Sequence, residues 1–388
     1  MTRILMYDPY HDAHFGAQRS LIALARGVAA RGHQPIVATG REGAFSQAAR
    51  QAGLPVEIIP IPESIDLFER RALTASKARK ALILAGVVRY AARVARRARA
   101  LGVDVLYAND LRSVLFFQLA RRLSRTRLVW SIQGGHAFGA LSTFAALASD
   151  EIVLCSHAAG KAVPDGVRDR VRGKMAVNYV GIEVDAYAGG AGEAERAATR
   201  RRLGLPEDAV LVTSAGSISP RKGFDTLVEA IARLAGQGAP VHLAIAGEPA
   251  GTGSAELMEM LRRRVDAEHL PVTFVGWMDD LRGLLRATDV FALASREEGL
   301  GRVILEAMAT GVPAVVTRAG GSEETVVEGE SGFIVDPDDP AALAERVGRL
   351  VADAPLRAAM GRAGRRRCEE VFSEAMFVDR FARMLEAW

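Results

Sequence analysis

The sequence predicts an α/β protein with two doubly wound parallel-sheet domains that face a central cleft. Short segments rich in apolar and β-branched residues alternate with longer amphipathic segments along most of the 388 residues. The alternation stops over residues 183–200 (EVDAYAGGAGEAERAATR) and then resumes. The chain is also too long for one ordinary hydrophobic core and suits two domains of roughly 150–200 residues each. Together these observations indicate two domains of the same class in tandem.

The first domain, residues 1–182, is predicted to hold seven buried parallel strands. Each strand segment is short and apolar on both faces, as expected for a sheet that helices cover on both sides. An amphipathic helix, AQRSLIALARGVAARG, follows the first strand and ends at Gly32, a residue type that is common just after helix ends. The predicted strands are RILMY, PIVAT, VEIIP, VDVLYA, RLVWSIQ, EIVLCS and MAVNYV.

The second domain, residues 183–372, opens with the interrupted stretch 183–200, which we interpret as the connection between the domains. Its predicted strands are VLVTSAG, VHLAIAG, VTFVGW, VFALAS, PAVVT and GFIVDP. The last helix, residues 373–388, is expected to return and pack on the first domain. Ligands of such folds bind at the carboxyl ends of the strands, so we expect chemistry in the loops that follow them.

The composition favours a globular protein of the cytoplasm. Apolar residues make up 49% of the chain and charged residues 25%, which are ordinary values. No segment approaches the ~20 consecutive apolar residues of a membrane span, and the apolar run at the N-terminus is too short for a secretory signal. Cys155 and Cys368 provide neither a disulfide framework nor metal-ligand spacing. A reducing compartment fits this cysteine usage.

Charge is distributed unevenly between the two predicted domains. Residues 1–182 hold 26 Lys and Arg against 13 Asp and Glu, whereas the remainder holds 24 against 33. In the basic segment KARKALILAGVVRYAARVARRARA, four arginines fall at helical spacing on one side: Arg89, Arg93, Arg96 and Arg97. This face indicates contact with an anionic membrane surface or a phosphorylated acceptor, or else a helix face that is simply solvated. Nucleic acid is a poor match, because aromatic residues are few and no reading motif is present.

The stretch EEGLGRVILEAMATGVP carries the most chemical information. Gly299 and Gly301 let the backbone approach a ligand, and a helix that starts near Arg302 places free N–H groups where phosphate oxygens bind. Glu306 lies about one turn further along, where a carboxylate can accept from two neighbouring sugar hydroxyls, and Glu298 can meet the other end of the ligand. Phosphate between two hydroxyl-rich groups describes a nucleotide sugar. The alternative is a helix-capping loop in which Glu306 pairs with an arginine.

Several motifs occur in a fixed order along the second domain. Glu298 and Glu306 form an E-x7-E pair. GVPAVVT, the double glycine Gly320-Gly321 and Glu323-Glu324 follow, and SAGSISPRKGFDTLVEAI, with a glycine turn and a lysine–glycine pair, precedes them. In this order the motifs resemble glycosyltransferase family 4, the retaining enzymes of the GT-B fold. The resemblance covers the second domain closely and the first domain loosely.

The resemblance implies a role for each matching residue. Glu306 would hold the nucleotide ribose, Glu298 would lie beside the donor sugar, and Lys222 would neutralise the diphosphate. A fixed cation and a helix N-terminus stabilise the charge on a leaving nucleoside diphosphate, so we expect no metal ion and no other cofactor. The expected catalytic residues are Glu298, Lys222, Arg221 and His136. The expected donor-binding residues are Gly216, Ser217, Lys222, Gly247, Trp277, Glu298, Gly299, Leu300, Gly301, Val303 and Glu306.

Two features of the second domain need separate interpretation. Ser217 stands where the family often has an arginine, and we expect Arg221, beside Lys222, to supply that charge. The alternative is that Arg221 and Lys222 are ordinary surface charges. A Pro-Arg-Lys-Gly turn directly after a buried strand favours a role in the diphosphate site instead. The acidic run Asp336-Pro337-Asp338-Asp339 resembles a metal motif superficially, but it follows a strand and precedes a helix. We therefore predict a turn and a helix N-cap there.

The first domain departs further from the family, and we assign its acceptor side to Gly16, Asn109, Gln133 and His136. Gly16, in His14-Phe15-Gly16-Ala17-Gln18, either approaches the diphosphate or acceptor or simply begins a helix. Gln133 stands where the family commonly has histidine; it can hydrogen-bond a sugar but cannot act as a base. His136 either reaches in through the preceding double glycine or is an ordinary loop residue. Retention by a front-face mechanism needs no protein base.

Polar residues also end two other strands of the first domain. Asn109 and Asp110 directly follow VDVLYA. Ser156 is the last residue of EIVLCS, and His157 follows it. These side chains either contact the acceptor or cap the helices that follow, and capping is the more common role.

The sequence therefore predicts a retaining, metal-independent hexosyltransferase that moves a sugar from a UDP- or GDP-linked donor to a glycan or lipid-linked acceptor. Cell-envelope polysaccharide or glycolipid synthesis fits the basic first domain, as does peripheral contact with the inner face of the membrane. Two alternatives stay open: a sugar-nucleotide epimerase of the same fold, and a non-catalytic protein that binds sugar nucleotides. Gln133 and Ser217 support the second alternative. No residue decides the base, the sugar or the acceptor.

Overall fold

The computed structural model describes residues 1–12, 15–66, 77–187, 193–206 and 208–388. These residues form two units. Unit 1 comprises Met1–Gly181 together with Glu374–Trp388, and unit 2 comprises Ile182–Ser373.

Unit 1 is built around one parallel sheet. Its strands are β1 (Arg3–Tyr7), β2 (Gln34–Thr39), β3 (Val56–Ile58), β4 (Val105–Ala108), β5 (Arg127–Ile132), β6 (Glu151–Leu154) and β7 (Met175–Val177). Its helices are α1 (Gly16–Ala30), α2 (Ala44–Gln51), α3 (Glu63–Asp66), α4 (Lys77–Ala100), α5 (Leu111–Ser124), α6 (Ala140–Ala148), α7 (Asp165–Val171) and the C-terminal α16 (Glu374–Ala387). The strand order is β3-β2-β1-β4-β5-β6-β7.

The C-terminal helix α16 completes one side of the unit 1 core. Val378 and Phe381 are buried in the cluster that α1 and the sheet form. A Cβ atom at Gly27 of α1 would lie 2.1 Å from a methyl carbon of Val378, so the two helices approach closely where a glycine permits it. Arg31 and Asp379 form an ion pair at the edge of this contact.

Unit 2 repeats the architecture. Its strands are β8 (Val210–Ala215), β9 (Val241–Ala246), β10 (Val272–Gly276), β11 (Val290–Leu293), β12 (Ala314–Thr317) and β13 (Gly332–Val335). Its helices are α8 (Glu193–Arg202), α9 (Phe224–Gly236), α10 (Ser254–Ala267), α11 (Arg282–Ala287), α12 (Arg302–Ala309), α13 (Ser322–Thr325), α14 (Pro340–Ala352) and α15 (Ala354–Val371). The strand order is β10-β9-β8-β11-β12-β13, again all parallel.

The described residues contain a strand at each of the thirteen segments that the sequence predicts, so the expected doubly wound α/β class is confirmed. The central strands of each sheet are buried almost throughout, whereas β3, β7 and β10, at sheet edges, are mostly half-buried. Strands buried in this way need apolar residues on both faces. The acidic run after β13 also behaves as predicted. The Asp339 side chain accepts a hydrogen bond from the backbone N–H of Ala342 and caps α14.

The prediction that residues 183–200 are only a connection is wrong for their C-terminal part. Residues 188–192 lie outside the described residues, but the segment beyond them forms α8. Arg196 and Arg200, one helical turn apart on α8, both bind the carboxylate of Asp289 and anchor α8 to unit 2. The alanine, glutamate and arginine residues of α8 are good helix formers, and this signal was outweighed by the glycines that precede them.

The basic helix α4 also differs in part from its prediction. Arg97 makes a two-pronged ion pair with Glu57 at 2.8 Å, and the Arg93 guanidinium donates to the carbonyl oxygen of Pro60. Arg89 and Arg96 are exposed. The four arginines therefore do not form one solvated face, because two of them hold α4 against the segment that contains β3.

Candidate functional site

The loops at the carboxyl edge of the unit 2 sheet contain most of the predicted donor-site residues. The chain winds in opposite directions from the two central strands, β8 and β11, and parallel α/β sheets bind ligands where this direction changes. The loop after β8, residues 216–223, contains the short 3-10 turn Pro220–Lys222. The loop after β11, residues 294–301, leads into α12.

Lys222 and Glu298 form a buried ion pair between these two loops. Lys222 Nζ lies 2.5 Å from Glu298 Oε2, and the side chains are only 10% and 11% exposed. Ser295 Oγ donates to the same carboxylate oxygen at 3.3 Å. Arg221 Nη1 lies 4.0 Å from Glu298 Oε1 and donates to the carbonyl oxygen of Glu297 at 2.8 Å. The structure thus brings three predicted catalytic residues together.

The electrostatics of Glu298 follow from this pairing. Burial alone acts to raise the pKa of Glu298, because it penalises the charged form. The positive charges and hydrogen bonds of Lys222, with a smaller effect of Arg221, outweigh that penalty and leave the pKa of Glu298 below its usual value. Glu298 is therefore an anion at neutral pH, and its ion pair holds the Lys222 side chain at the edge of the sheet.

Glycines allow the backbones of these loops to pack directly on one another. A Cβ atom at Gly247 would lie 1.9 Å from the carbonyl oxygen of Gly216, and the φ of Gly247 is +152°. A Cβ atom at Gly321 would lie 1.8 Å from the carbonyl oxygen of Gly299, and one at Gly320 would lie 2.5 Å from that of Glu298. The loop that carries Glu298 is therefore supported by a backbone layer that no larger residue can replace.

The N-terminus of α12 extends from the same loop. Gly301 precedes the helix in the left-handed region, with a φ of +85°. Gly301 has no side chain with which to cap α12, and its carbonyl oxygen accepts the Ile304 N–H at 2.8 Å. Backbone N–H groups at a helix start point along the axis toward the preceding loop. The predicted helix start at Arg302 is confirmed, and Gly311 follows the helix end with a φ of +78°.

Glu306, one turn into α12, is 5% exposed. Its Oε1 accepts a hydrogen bond from Arg302 Nε at 3.0 Å, so the arginine pair that the sequence left open is present. The Tyr187 hydroxyl lies near the same carboxylate and interacts with its charge. Burial and the Glu306 charge raise the pKa of Tyr187, which keeps the phenol protonated and able to donate. The carboxylate is thus held in place by Arg302, with the Tyr187 hydroxyl near it.

Tyr187 is a site residue that the sequence analysis missed. It lies at the end of a 3-10 turn, Val184–Tyr187, that packs on α12. The turn falls within residues 183–200, which we interpreted as a connection. The only indication in the sequence was one aromatic residue, Tyr187, among small and polar neighbours.

The remaining predicted donor-site residues differ in exposure. The Trp277 indole is 45% exposed after β10, and its Nε1 donates to Asp279 at 2.9 Å. Ser217 and Val303 are half-buried. Leu300 is 5% exposed, so its side chain belongs to the packing of the loop. Its predicted donor contact would therefore come from its backbone.

At the carboxyl edge of the unit 1 sheet, Asn109 and Gln133 belong to one hydrogen-bonded chain. Asn109 Nδ2 donates to Asp8 Oδ2 at 2.7 Å, and Gln133 Nε2 donates to Asn109 Oδ1 at 3.3 Å. The preferred capping role of Asn109 is therefore wrong. Asp110 alone of the pair caps α5, by accepting from the backbone N–H of Ser113 at 2.8 Å. Asp8 itself was missed, although an acidic residue directly after a buried strand was a visible signal.

The other predicted residues of this edge lie outside the hydrogen-bonded chain of Asp8, Asn109 and Gln133. His136 is exposed, and its ring lies edge-on to Phe138 with 6.5 Å between centroids. Gly16 is the first residue of α1, and His14 lies outside the described residues. Ser156 Oγ accepts from the backbone N–H of Ala159 at 3.1 Å, which is the expected turn-capping contact. The acceptor-side roles of Gly16 and His136 stay predictions.

Comparison with known proteins identifies the family. The model of the glycosyl transferase 4-like domain matches residues 15–216, just over half of the chain, and the model of glycosyl transferases group 1 matches residues 195–367. The chain belongs to this glycosyltransferase family. The resemblance stated from the motifs is thereby confirmed.

Curated relatives match over about half of their length. The lipopolysaccharide core biosynthesis glycosyltransferase LpsE of Rhizobium meliloti is 37% identical over 191 residues, which is 49% of this chain and 53% of LpsE. The D-inositol 3-phosphate glycosyltransferase of Streptomyces avermitilis is 37% identical over 206 residues, 51% of this chain and 44% of the relative.

Solved structures match over the whole chain. Anabaena Alr3699/HepE in complex with UDP superimposes with a TM-score of 0.84 and 23% identity, covering 100% of both chains. A glycosyltransferase of Rickettsia africae superimposes with a TM-score of 0.82 and 17% identity, covering 99% of this chain and 97% of that chain. At these identities the similarity concerns the fold, and it confirms the predicted GT-B class.

Proposed function

We propose that this protein transfers a glycosyl group from a UDP- or GDP-linked sugar to a glycan or lipid-linked acceptor, with retention at the anomeric carbon. The observation that carries the proposal is the buried Lys222–Glu298 pair beside the N-terminus of α12. A lysine that a carboxylate holds in place and a set of helix N–H groups form a suitable site for a diphosphate. Membership of a glycosyltransferase family supports the same conclusion.

Each residue then has a defined task. Lys222 and the first N–H groups of α12 stabilise the negative charge that develops on the leaving nucleoside diphosphate. Glu298 holds Lys222 in place through their ion pair and lies next to the proposed position of the donor sugar. Glu306 accepts hydrogen bonds from the ribose hydroxyls, and the nearby Tyr187 hydroxyl lies at the same end of the site. Because these groups supply the charge, the transfer is proposed to need no metal ion.

The proposal is tested by measuring the binding of UDP, GDP and ADP by calorimetry, followed by turnover of their common sugar derivatives. HepE was solved with UDP and with UDP-glucose, which makes these two the first probes. We expect one nucleotide to bind wild type and to lose affinity in Glu306→Ala. Release of free sugar, or transfer to an added glycan, supports a transferase. A changed donor sugar without an acceptor would instead indicate an epimerase, and binding without any turnover would indicate a non-catalytic protein.

We also propose that helix α4 contacts an anionic membrane surface, where a lipid-linked acceptor would be found. Among the described residues, no helix has the length and apolar character needed to cross a bilayer. Leu82, Leu84 and Val88 are 54%, 64% and 46% exposed on α4, and Arg89 and Arg96 are exposed on the same helix. Apolar side chains flanked by arginines are suited to the interface of anionic lipids.

Sedimentation with vesicles tests this contact. We expect binding to vesicles that contain phosphatidylglycerol at low salt and little binding to phosphatidylcholine alone. Leu84→Ser should weaken it, whereas Met260→Ser, a matched change at a residue 44% exposed in unit 2, should not. Equal binding of both variants, or none by wild type, would remove the proposal.

A further inference from the structure

Asp8 is a buried carboxylate at the point where β1 ends. It is 1% exposed, and both of its oxygens accept hydrogen bonds. Oδ1 accepts from the backbone N–H of Tyr10 at 2.9 Å, and Oδ2 accepts from Asn109 Nδ2 at 2.7 Å. Gln18 Nε2, on α1, lies 3.2 Å from both oxygens. An ionised carboxylate can only accept, so each of these partners must present an N–H group to it.

That requirement fixes the orientation of Asn109. Because its Nδ2 must face Asp8, its Oδ1 faces away, toward Gln133. Gln133 Nε2 uses one N–H bond for Asn109 Oδ1 at 3.3 Å and the other for Ser131 Oγ at 2.7 Å. Both donors of the Gln133 amide are thus used inside unit 1. Gln133 is half-buried and directly follows β5, so its carbonyl oxygen Oε1 is the part of the amide that remains for a ligand.

We propose that Asp8 is a positioning residue that, through Asn109, orients the Gln133 amide so that Oε1 accepts a hydrogen bond from a hydroxyl of the sugar substrate. The inference rests on the proposed glycosyltransferase function and deepens it, because it assigns a polarity to the acceptor side. Because the Asp8 carboxylate can only accept, every hydrogen bond in the Gln133–Asn109–Asp8 chain is donated toward Asp8. The direction of donation can reverse only if the carboxylate gains a proton.

The charge environment makes this direction dependent on pH. Burial raises the pKa of Asp8 to about 6; the Asp110 carboxylate adds to the rise, and hydrogen bonds from Asn109, Tyr10 and Gln18 oppose it. Other groups that face this cluster are Tyr7, which burial keeps neutral by raising its pKa, and Arg112, whose guanidinium lies over the Tyr10 ring at 4.5 Å. Above this range Asp8 is an anion and Gln133 Oε1 faces the substrate. Below it, a protonated Asp8 can donate to Asn109, and the amides can turn.

Side-chain amide NMR of the ¹⁵N-labelled full chain tests the orientation directly. We expect the NH₂ signals of Asn109 and Gln133, assigned with Asn109→Asp and Gln133→Glu, to shift between pH 5 and 8 with one midpoint. Asp8→Asn should abolish the shift, whereas Asp104→Asn should not. Asp104 is the matched control because its carboxylate accepts the Arg3 N–H at the opposite edge of the same sheet, at 2.8 Å. Signals that shift identically in Asp8→Asn would overturn the proposal.

Turnover separates a positioning role from a structural one. With UDP-glucose or GDP-mannose, Asp8→Asn should lower kcat/KM about tenfold while the Kd for UDP or GDP stays that of wild type. A loss seen in hydrolysis of the donor alone assigns the hydroxyl to the donor sugar, and a loss seen only with added methyl glucoside assigns it to the acceptor. Unchanged kcat/KM in both assays would overturn the proposal. If wild type turns over neither donor, the proposed function fails, and the amide signals still decide whether Asp8 orients Gln133.

Discussion

Lys222 Nζ lies 2.5 Å from Glu298 Oε2, and both side chains are about nine-tenths buried. Lys222 belongs to the loop after β8 and Glu298 to the loop after β11, so the pair joins the two loops at the position where the sheet changes direction. Neither charge is stable in such a place without the other. The pair therefore holds a cation at this edge of the sheet, where the diphosphate of the donor is proposed to lie.

Removal of the Lys222 charge should abolish tight binding of the nucleotide. We expect Lys222→Gln to weaken UDP or GDP binding at least about tenfold, because a charge-assisted contact to phosphate is lost. The variant should also unfold more easily, since breaking a buried pair typically costs about 3–5 kcal/mol. Calorimetry and urea unfolding measure the two effects.

A double variant separates these effects. Lys222→Gln with Glu298→Gln removes both charges, so it should recover much of the stability without recovering affinity. Arg318→Gln, a change at an arginine 56% exposed in the same unit, serves as the control and should bind nucleotide as wild type does. Recovery of binding in the double variant would contradict the prediction. It would show that Lys222 neutralises the buried Glu298 charge and does not bind a phosphate.

Glu306 should be responsible for sensing the ribose. In wild type we expect 2′-deoxy-UDP to bind about tenfold more weakly than UDP, because one hydroxyl can no longer donate to the carboxylate. In Glu306→Gln that difference should largely disappear, whereas in Glu345→Gln, an exposed position on α14, it should persist. An equal preference for UDP in wild type and Glu306→Gln would mean that Glu306 only pairs with Arg302 and Tyr187.

The double glycine should be required for the shape of the donor loop. Gly321→Ala places a Cβ atom 1.8 Å from the carbonyl oxygen of Gly299, so the loop must move. We expect a loss of about 2 kcal/mol or more in stability and weaker nucleotide binding. Gly236→Ala, where an added Cβ meets nothing within 4 Å, should leave both unchanged. Thermal shift with and without UDP measures the two effects, and a stable Gly321→Ala variant with normal binding would contradict this account.

Asp8 should make stability depend on pH. Its folded pKa, about 6, lies above the ordinary value of 3.8, so the folded state holds a proton that the unfolded state has released. Between roughly pH 4 and 7 wild type should therefore lose stability relative to Asp8→Asn as the pH rises, by about 3 kcal/mol in all. Urea unfolding of the two proteins across this range measures the difference. A difference that stays constant with pH would show that Asp8 titrates normally.

Transfer should not need a divalent metal ion. Lys222 and the N-terminus of α12 supply positive charge where the diphosphate is proposed to lie, so we expect turnover to be the same with EDTA and with added Mg²⁺ or Mn²⁺. Activity that EDTA abolishes and one of these ions restores would place a metal in the mechanism.

Much of the fold can be predicted from the sequence, because buried parallel strands need continuous apolar runs and helices need amphipathic periodicity. The segments RILMY and VFALAS are strands for this reason alone. The E-x7-E spacing likewise places Glu298 before a helix and Glu306 within it, since a short glycine loop leaves few other arrangements. The failures occur where a local pattern has more than one outcome. The alanine-rich stretch before Arg202 resembles a connection when its local sequence is considered alone. It is a helix in the structure, where Asp289, far along the chain, binds Arg196 and Arg200.

The sequence by itself determined the two doubly wound sheets and the family, and it named the candidate residues of the donor site, because these depend on local periodicity and on motifs in order. Only the tertiary structure decided which charges meet. It paired Lys222 with Glu298 and turned Arg97 toward Glu57, and it placed Asp8 at the end of an amide chain that reaches Gln133. Such contacts join residues up to about a hundred positions apart. Their energies depend on burial and geometry, which no local pattern contains.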